Sequence, residues 1–208
     1  MPLHNYQHFK FRLIKWTDFD EFRRSFSESQ FEISMFLAIG RTIINYSIID
    51  YWNLFTWYMN SKEYDIYGLF DDSNLVGFAS ISKANLDFGC DIIYWIRKKY
   101  QGLGLGKIFL FYLLSISLGR KGFIFAQLQI NKHNFKSIRI AENLGLTKVN
   151  SEDIQFLGFE PEIANHFYIY LALENIFQID SEKMGLTPVE AIFIWQQLTS
   201  NQFSEITD

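Results

Sequence analysis

The sequence predicts a layered α/β fold built on a mixed sheet, and three observations carry that expectation. Short apolar runs alternate with stretches whose apolar residues recur at helical spacing. A glycine-rich turn, Gln101-Gly102-Leu103-Gly104-Leu105-Gly106-Lys107, links one such run to a helical pattern. No repeat, low-complexity tract or Gly/Ser/Pro linker interrupts the region from 8 to 174. That region reads as one domain (1–174), and 175–208 reads as a separate extension.

The elements follow in order. Phe9, Phe11 and Leu13 alternate with Lys10, Arg12 and Ile14, as in a strand. Thr17 offers an N-cap, and Asp18 and Asp20 suit the positive end of a helix that carries Phe19, Phe22 and Phe26 to about Ser29. Residues 30–62 read as mostly helical and strongly aromatic. Asp65–Phe70 and Leu75–Ser82 flank Asp71-Asp72-Ser73-Asn74, which is a hairpin signal. A fourth strand is expected from Asp87 to Arg97. A helix then runs from the glycine turn to about Leu118, punctuated by Gly119 and Gly122. Phe123–Ile130 is apolar enough for a central strand. Asn134–Leu144 is a short helix stopped by Gly145, and Leu146–Val149 and Phe167–Leu173 are the last strands. In the extension, Thr187-Pro188-Val189-Glu190 has the form of a capping box, with Ile192, Trp195, Gln196 and Leu198 continuing a helix. Its apolar face is left to dock on its own domain, on a second subunit as a homodimer, or over a cleft.

Composition narrows the function. With 49% hydrophobic residues and 22 Phe, the chain has material for a large core dominated by rings. The net charge of −4 argues against a broad nucleic-acid footprint. Cys90 is the one cysteine, which excludes an intrachain disulfide and any multi-cysteine metal site. The histidines His4, His8, His133 and His166 have no metal-ligand spacing, so no metal is expected. No apolar run reaches the roughly 20 residues of a membrane span. Met1–Lys10 is too polar for a signal peptide. The expectation is a cytoplasmic protein with no membrane partner.

Glycines between a strand and a helix let backbone N–H groups approach a ligand, and the helix terminus adds a positive dipole. Arg97, Lys98, Lys99 and Lys107 concentrate cations around this turn in an acidic chain, which reads as a local anion trap. A Walker loop is excluded, because Gln101 and Ile108 stand where it needs Gly and Ser/Thr. A dinucleotide fingerprint is excluded too. The spacing is G-x-G-x-G, the turn follows the fourth strand, and no acid falls around Phe123–Gln127.

The segment Gln101–Gly106 resembles the [QR]-x-x-G-x-[GA] loop of the GNAT superfamily of acyl-CoA-dependent N-acetyltransferases. Ile93-Tyr94-Trp95-Ile96 upstream, and Asn131–Ser137 with Ala141-Glu142-Asn143-Leu144-Gly145-Leu146 downstream, resemble the subgroup that includes the ribosomal-protein N-terminal acetyltransferases. The likeness is specific over 86–150 and loose over 8–85. It implies a mixed, mostly antiparallel sheet with helices on both faces, whose strands four and five part to admit acetyl-CoA. It further implies that Tyr94, Trp95 and Ile96 pair with the pantetheine arm through their backbone. The diphosphate would rest on Gly102, Leu103, Gly104, Leu105, Gly106 and Lys107 after Gln101, and Asn134 would bond the arm.

The chemistry needs thioester and amine held close, a polarised carbonyl, a base for the ammonium and a donor for the departing thiolate. Some relatives place Glu and Tyr where this chain has Gln129 and Ala141, and neither can do that work. Ser137 is the candidate donor, in line with the subgroup that has Ser three residues after the Asn. Asp91 is the candidate base, an acid inside an otherwise apolar strand that shares a face with Ile93 and Trp95 unless a bulge intervenes. Asp87 and His133 are secondary candidates. Tyr51, Trp52 and Tyr58 could reach the acceptor side. Cys90 reads as a buried small residue. The expected acceptor is a primary amine, either a protein N-terminus or a small amine. The stretch Leu75–Lys83 loosely resembles acetyltransferases of 4-amino sugars on nucleotides. The rival reading is an acyl-CoA-binding module without turnover.

Overall fold

The computed structural model describes residues 6, 8–36 and 44–173. The helix expected at 187–199, and with it the C-terminal extension, lies outside the described residues. So do most of the polar N-terminal stretch and positions 37–43 of the aromatic region.

Among the described residues, β1 (Phe9–Leu13) is followed by α1 (Phe19–Glu28), α2 (Gln30–Phe36) and α3 (Ile48–Asn60). The chain then forms β2 (Tyr64–Asp71), β3 (Asn74–Lys83) and β4 (Gly89–Ile96), then α4 (Leu105–Leu114), β5 (Phe125–Asn131), α5 (Phe135–Asn143), β6 (Thr147–Lys148) and β7 (Phe167–Leu173). The seven strands lie in the order β1-β2-β3-β4-β5-β7-β6. Only β4 and β5 run parallel, so the sheet is mixed and mostly antiparallel.

Period-two alternation divides the core between the two faces. Val76, Ala79, Ile81, Cys90, Ile92, Ile96, Ala126, Leu128 and Ile130 pack with α4 and α5. Ile66, Leu75, Phe78 and Trp95 pack with α1 to α3. There the rings of Phe22, Phe26, Phe55, Phe78 and Trp95 meet at centroid spacings of 4.1–6.5 Å, mostly tilted or edge-on. Tyr51 and Tyr58 are buried in this layer, while Trp52 lies half-exposed against Trp16 and Phe19. The first two therefore serve the core.

Local chemistry sets the element ends. Thr17 sits within a 3-10 turn, Trp16–Asp18, and α1 begins one residue later. Asp18 accepts the Lys15 N–H at 2.8 Å and binds Arg12 in a fork at 2.6 and 2.8 Å, which fixes the exit from β1. α3 opens on a capping box: Ser47 Oγ accepts the Asp50 N–H at 3.2 Å and Asp50 accepts the Ser47 N–H at 2.8 Å. The hairpin β2–β3 turns at Asp72, whose φ of 52° is tolerable for Asp. α4 widens into a π-helical stretch, Ser115–Arg120, before Gly122 turns the chain with φ 72°.

Candidate functional site

The site begins where two strands part. β4 and β5 pair only at Gly89–Asp91 with Phe125–Gln127. Beyond Asp91, β4 remains paired with β3 through Ile96 without a register shift, and β5 remains paired with β7 through Asn131. The bulge that could have turned Asp91 away is therefore absent from this pairing. Between the parted strands lies a cleft of about 160 Å³, lined by Tyr64, Ser82, Asp91, Ile92, Ile93, Tyr94, Leu128, Gln129, Ile130, Asn134 and Ser137.

The direction of each β4 peptide follows from the ladder. Ala84 N–H bonds the Gly89 carbonyl at 3.0 Å, and Arg97 N–H bonds the Val76 carbonyl at 2.8 Å. Peptide groups alternate in direction along an antiparallel strand, so odd-numbered residues face β3 and Ile92, Tyr94 and Ile96 face the gap. Tyr94 and Ile96 thus turn their amides toward the gap. Trp95 does not: its peptide groups face Phe78 of β3, and Ile92 takes its place. The Ile96 carbonyl is itself occupied by Gln101 Nε2 at 2.9 Å, and Gln101 Oε1 accepts from Lys136 Nζ at 3.0 Å. Gln101 thereby ties the end of β4 to the start of α5 and holds the glycine turn at the mouth of the gap.

That turn has the backbone a phosphate cradle needs. Gly102 and Gly104 stand at φ 82° and 81°, in the left-handed region, and Gly104 is the N-cap of α4. A Cβ at Gly106 would come within 3.0 Å of Ile140 Cδ1, so this glycine lets α4 pack closely on α5. Leu105 buries its side chain in the core while its N–H belongs to the first helical turn, where amides lack intrahelical partners. Leu103 is partly exposed, and its carbonyl accepts from the Tyr6 hydroxyl at 2.8 Å. The Lys107 N–H bonds the Gly104 carbonyl at 3.1 Å and is not open to a ligand.

The cationic cluster is narrower than the sequence suggests. Arg97 is buried, 2% exposed, with Nε on Glu28 at 2.8 Å and a second contact from its guanidinium to the same carboxylate. The Arg97 hydrogen bond holds the Glu28 carboxyl below its ordinary range. Lys98 pairs with Glu32 at 3.4 Å. Arg97 therefore braces β4 against α1 and is withdrawn from any anion, whereas Lys98 stays mostly exposed. Lys99, Lys107 and Lys136 also lie near the turn, Lys136 donating to Gln101.

Two polar groups flank the gap from opposite faces of the sheet. Asp91 lies on the α1–α3 face, in register with Ser82 and Tyr64 on one side and Gln127 on the other. Gln127 is buried and donates Nε2–H to Asp91 at 2.8 Å. Burial pushes the Asp91 carboxyl upward, and the Gln127 bond only partly offsets it. On the other face, Asn134 caps α5 by accepting the Ser137 N–H at 3.2 Å, which leaves its amide nitrogen as the group that can serve a ligand. Ser137 lies one turn in, beside the buried hydroxyl of Tyr94. Asp87 and His133 are not among the cleft-lining residues. Cys90 is fully buried and its thiol is pushed up to about 12, so it is no nucleophile. Among the described residues, no group of three or more His, Cys, Asp or Glu is placed to hold a metal ion. None of their helices is long and apolar enough to cross a membrane.

Tyr64, Ser82 and Gln127 escape a linear reading because strand register brings them to Asp91. The alternation Ala126-Gln127-Leu128-Gln129-Ile130 does signal one polar face on an otherwise apolar central strand.

Solved structures with the same fold include a ribosomal-protein alanine acetyltransferase from Vibrio fischeri, with TM-score 0.64 and 13% identity over 82% of this chain and 96% of that one. A spermidine N-acetyltransferase chimera of Vibrio cholerae and human sequence gives TM-score 0.64 and 15% identity over 84% of this chain and 100% of that one. A ribosomal-protein alpha-N-acetyltransferase solved in complex with coenzyme A gives TM-score 0.63 and 12% identity over 83% and 96%. At these identities the likeness is one of fold. No curated protein matches the chain by sequence. The family model for the acetyltransferase (GNAT) domain matches residues 8–147. With a parted β4/β5 pair, a glycine cradle at its mouth and this match over most of its length, the chain belongs to the GNAT family of N-acetyltransferases.

Proposed function

We propose that the protein transfers an acetyl group from acetyl-CoA to a primary amine by direct attack, with Asp91 as base and Ser137 as donor. The observation that carries this reading is the gap itself. One opening in the sheet is flanked by an acid on the α1–α3 face and a hydroxyl on the α4/α5 face. An amine entering from the first face meets an acyl donor held on the second.

The residues present suit the donor. The N–H groups of Gly102 to Gly106 would hold a diphosphate, supported by the side chains of Lys107 and Lys136. The gap-facing amides of Ile92 and Tyr94 would pair with pantetheine amides as an added strand does. Asn134 would bond the same arm. Acetyl-CoA, when bound, supplies an acyl group activated as a thioester. Asp91 takes the proton from the incoming ammonium, because only the neutral amine is a nucleophile. Gln127 engages one of its oxygens and leaves the other for that proton. Ser137 donates a hydrogen bond on the leaving-group side.

The acceptor is a protein N-terminus or a small amine. The structural neighbours named above act on both kinds, so fold alone does not choose. The test is thiol release from acetyl-CoA over a panel of N-terminal peptides, polyamines and amino sugars. Turnover on at least one amine that is abolished in Asp91→Ala is expected. Micromolar coenzyme binding with no turnover on any amine would favour the binding-module reading.

A further inference from the structure

The glycine turn is tied down along its length, and one of the ties comes from far away in the chain. Just upstream, the Tyr100 hydroxyl donates to Asp71 at 3.2 Å, and Gln101 Nε2 donates to the Ile96 carbonyl at 2.9 Å. Between the two left-handed glycines, the Leu103 carbonyl accepts from the Tyr6 hydroxyl at 2.8 Å, across 97 residues of sequence. Tyr6 is well anchored for this contact. It is buried in the core under α4, and its own carbonyl accepts the Phe9 N–H at 3.0 Å. β1 continues the anchor, with Phe11 stacked on Phe109 and Tyr112 of α4 at 5.6 and 4.4 Å.

A trans peptide sets its C=O and N–H on opposite sides. With the Leu103 carbonyl on Tyr6, the Gly104 N–H points away from Tyr6. Among the described residues, no backbone carbonyl takes that N–H. Tyr6 approaches from β1 at one edge of the sheet, whereas the gap opens on the far side of β4. A group that points away from Tyr6 therefore faces the gap side of the turn. Sterics do not hold it there. Gly104 has φ 81°, and a glycine takes negative φ about as readily. Rotation of this one peptide would offer a ligand an oxygen in place of an N–H.

We propose that Tyr6 is a positioning residue for the coenzyme: its hydroxyl fixes the Leu103–Gly104 peptide so that the Gly104 amide is presented to the diphosphate. The inference rests on the coenzyme reading of the turn and deepens it. Tyr6 touches no ligand and takes no part in proton or acyl transfer. Its effect is confined to the part of coenzyme A that the turn holds. The pantetheine arm, on Ile92, Tyr94 and Asn134, lies outside its reach.

The test compares two ligands, coenzyme A and pantetheine, which carries the same arm without the diphosphate. Their Kd values are measured on wild type and on Tyr6→Phe, by calorimetric titration for the first and by displacement of the first for the second. Tyr6→Phe keeps the buried ring and deletes the donor. It is expected to bind coenzyme A about three- to tenfold more weakly, the effect of one net hydrogen bond on the competent conformer, and pantetheine within about twofold of wild type. Kd is read apart from stoichiometry, so a partly unfolded variant does not imitate this split. Unchanged affinity for coenzyme A would overturn this inference alone. An equal loss for both ligands would do the same, by showing that Tyr6 shapes the whole cleft and not the one peptide. Failure of wild type to bind either ligand would overturn the coenzyme reading and this inference with it.

Discussion

Asp91 is held in a poor place for a charge, and its two consequences pull in opposite directions. Its carboxyl is raised above the ordinary 3.8 by burial, so the folded chain keeps the proton at pH values where the unfolded chain has released it. That contribution to stability is fully present below the unfolded value and is lost as pH rises through the folded one. Asp91→Asn should therefore melt at the same temperature or higher at neutral pH while losing amine acetylation, as calorimetry and thiol release would record. The acidic limb of kcat/KM in wild type should lie above the ordinary carboxylate range. Gln127→Leu deletes the one hydrogen bond that holds the charged form, so that limb should move to still higher pH. An unmoved limb would detach Gln127 from Asp91's function. At Cys90 the expectation is silence. With its thiol buried and shifted to about 12, native protein should take up no iodoacetamide by intact mass, and unfolded protein should take up one equivalent.

At the scale of elements, the β4–turn–α4 unit joins fold to function, and a different physical feature tests each part. Gly104 must stay at φ 81° to start α4. A side chain there strains the backbone by about 1–2 kcal/mol and fills the concave side of the turn. Gly104→Val should thus lose coenzyme affinity, by calorimetric titration, far beyond its modest loss of stability. The Arg97–Glu28 pair anchors β4 to α1. Glu28→Ala strands a guanidinium that is 2% exposed and should cost about 3 kcal/mol in urea unfolding, the low end for a broken buried pair because Glu28 is itself half-exposed.

Most of this unit is legible from the sequence, because its signals are local. Glycines that turn a strand into a helix, an Asn three residues before a Ser, and period-two alternation through β4 are all written in consecutive residues. What is not legible is what depends on pairing. The ladder direction exchanges Trp95 for Ile92 among the gap-facing amides. The distant Glu28 turns Arg97 from a ligand cation into a brace. The register of three other strands brings Tyr64, Ser82 and Gln127 to Asp91. The α3 capping box, Ser47 to Asp50, is local as well, but a long aromatic stretch masks it in the sequence.

For the whole molecule, the sheet is a frame opened at one seam. β3 holds one lip and β7 the other, so neither strand needs its partner across the gap to stay ordered. The aromatic layer under α1–α3 and the mixed aliphatic and aromatic layer under α4 and α5 back both lips. The backbone amides in the seam are thereby preorganised for an extended ligand, which lowers the entropy lost on binding. The most direct test is a crystal structure with coenzyme A bound. The diphosphate should rest on the amides of Gly102 to Gly106, and the pantetheine arm should run along Ile92 and Tyr94 with its sulfur on the Ser137 side of the gap. A coenzyme bound elsewhere, or β4 and β5 paired through to Ile96, would contradict the account.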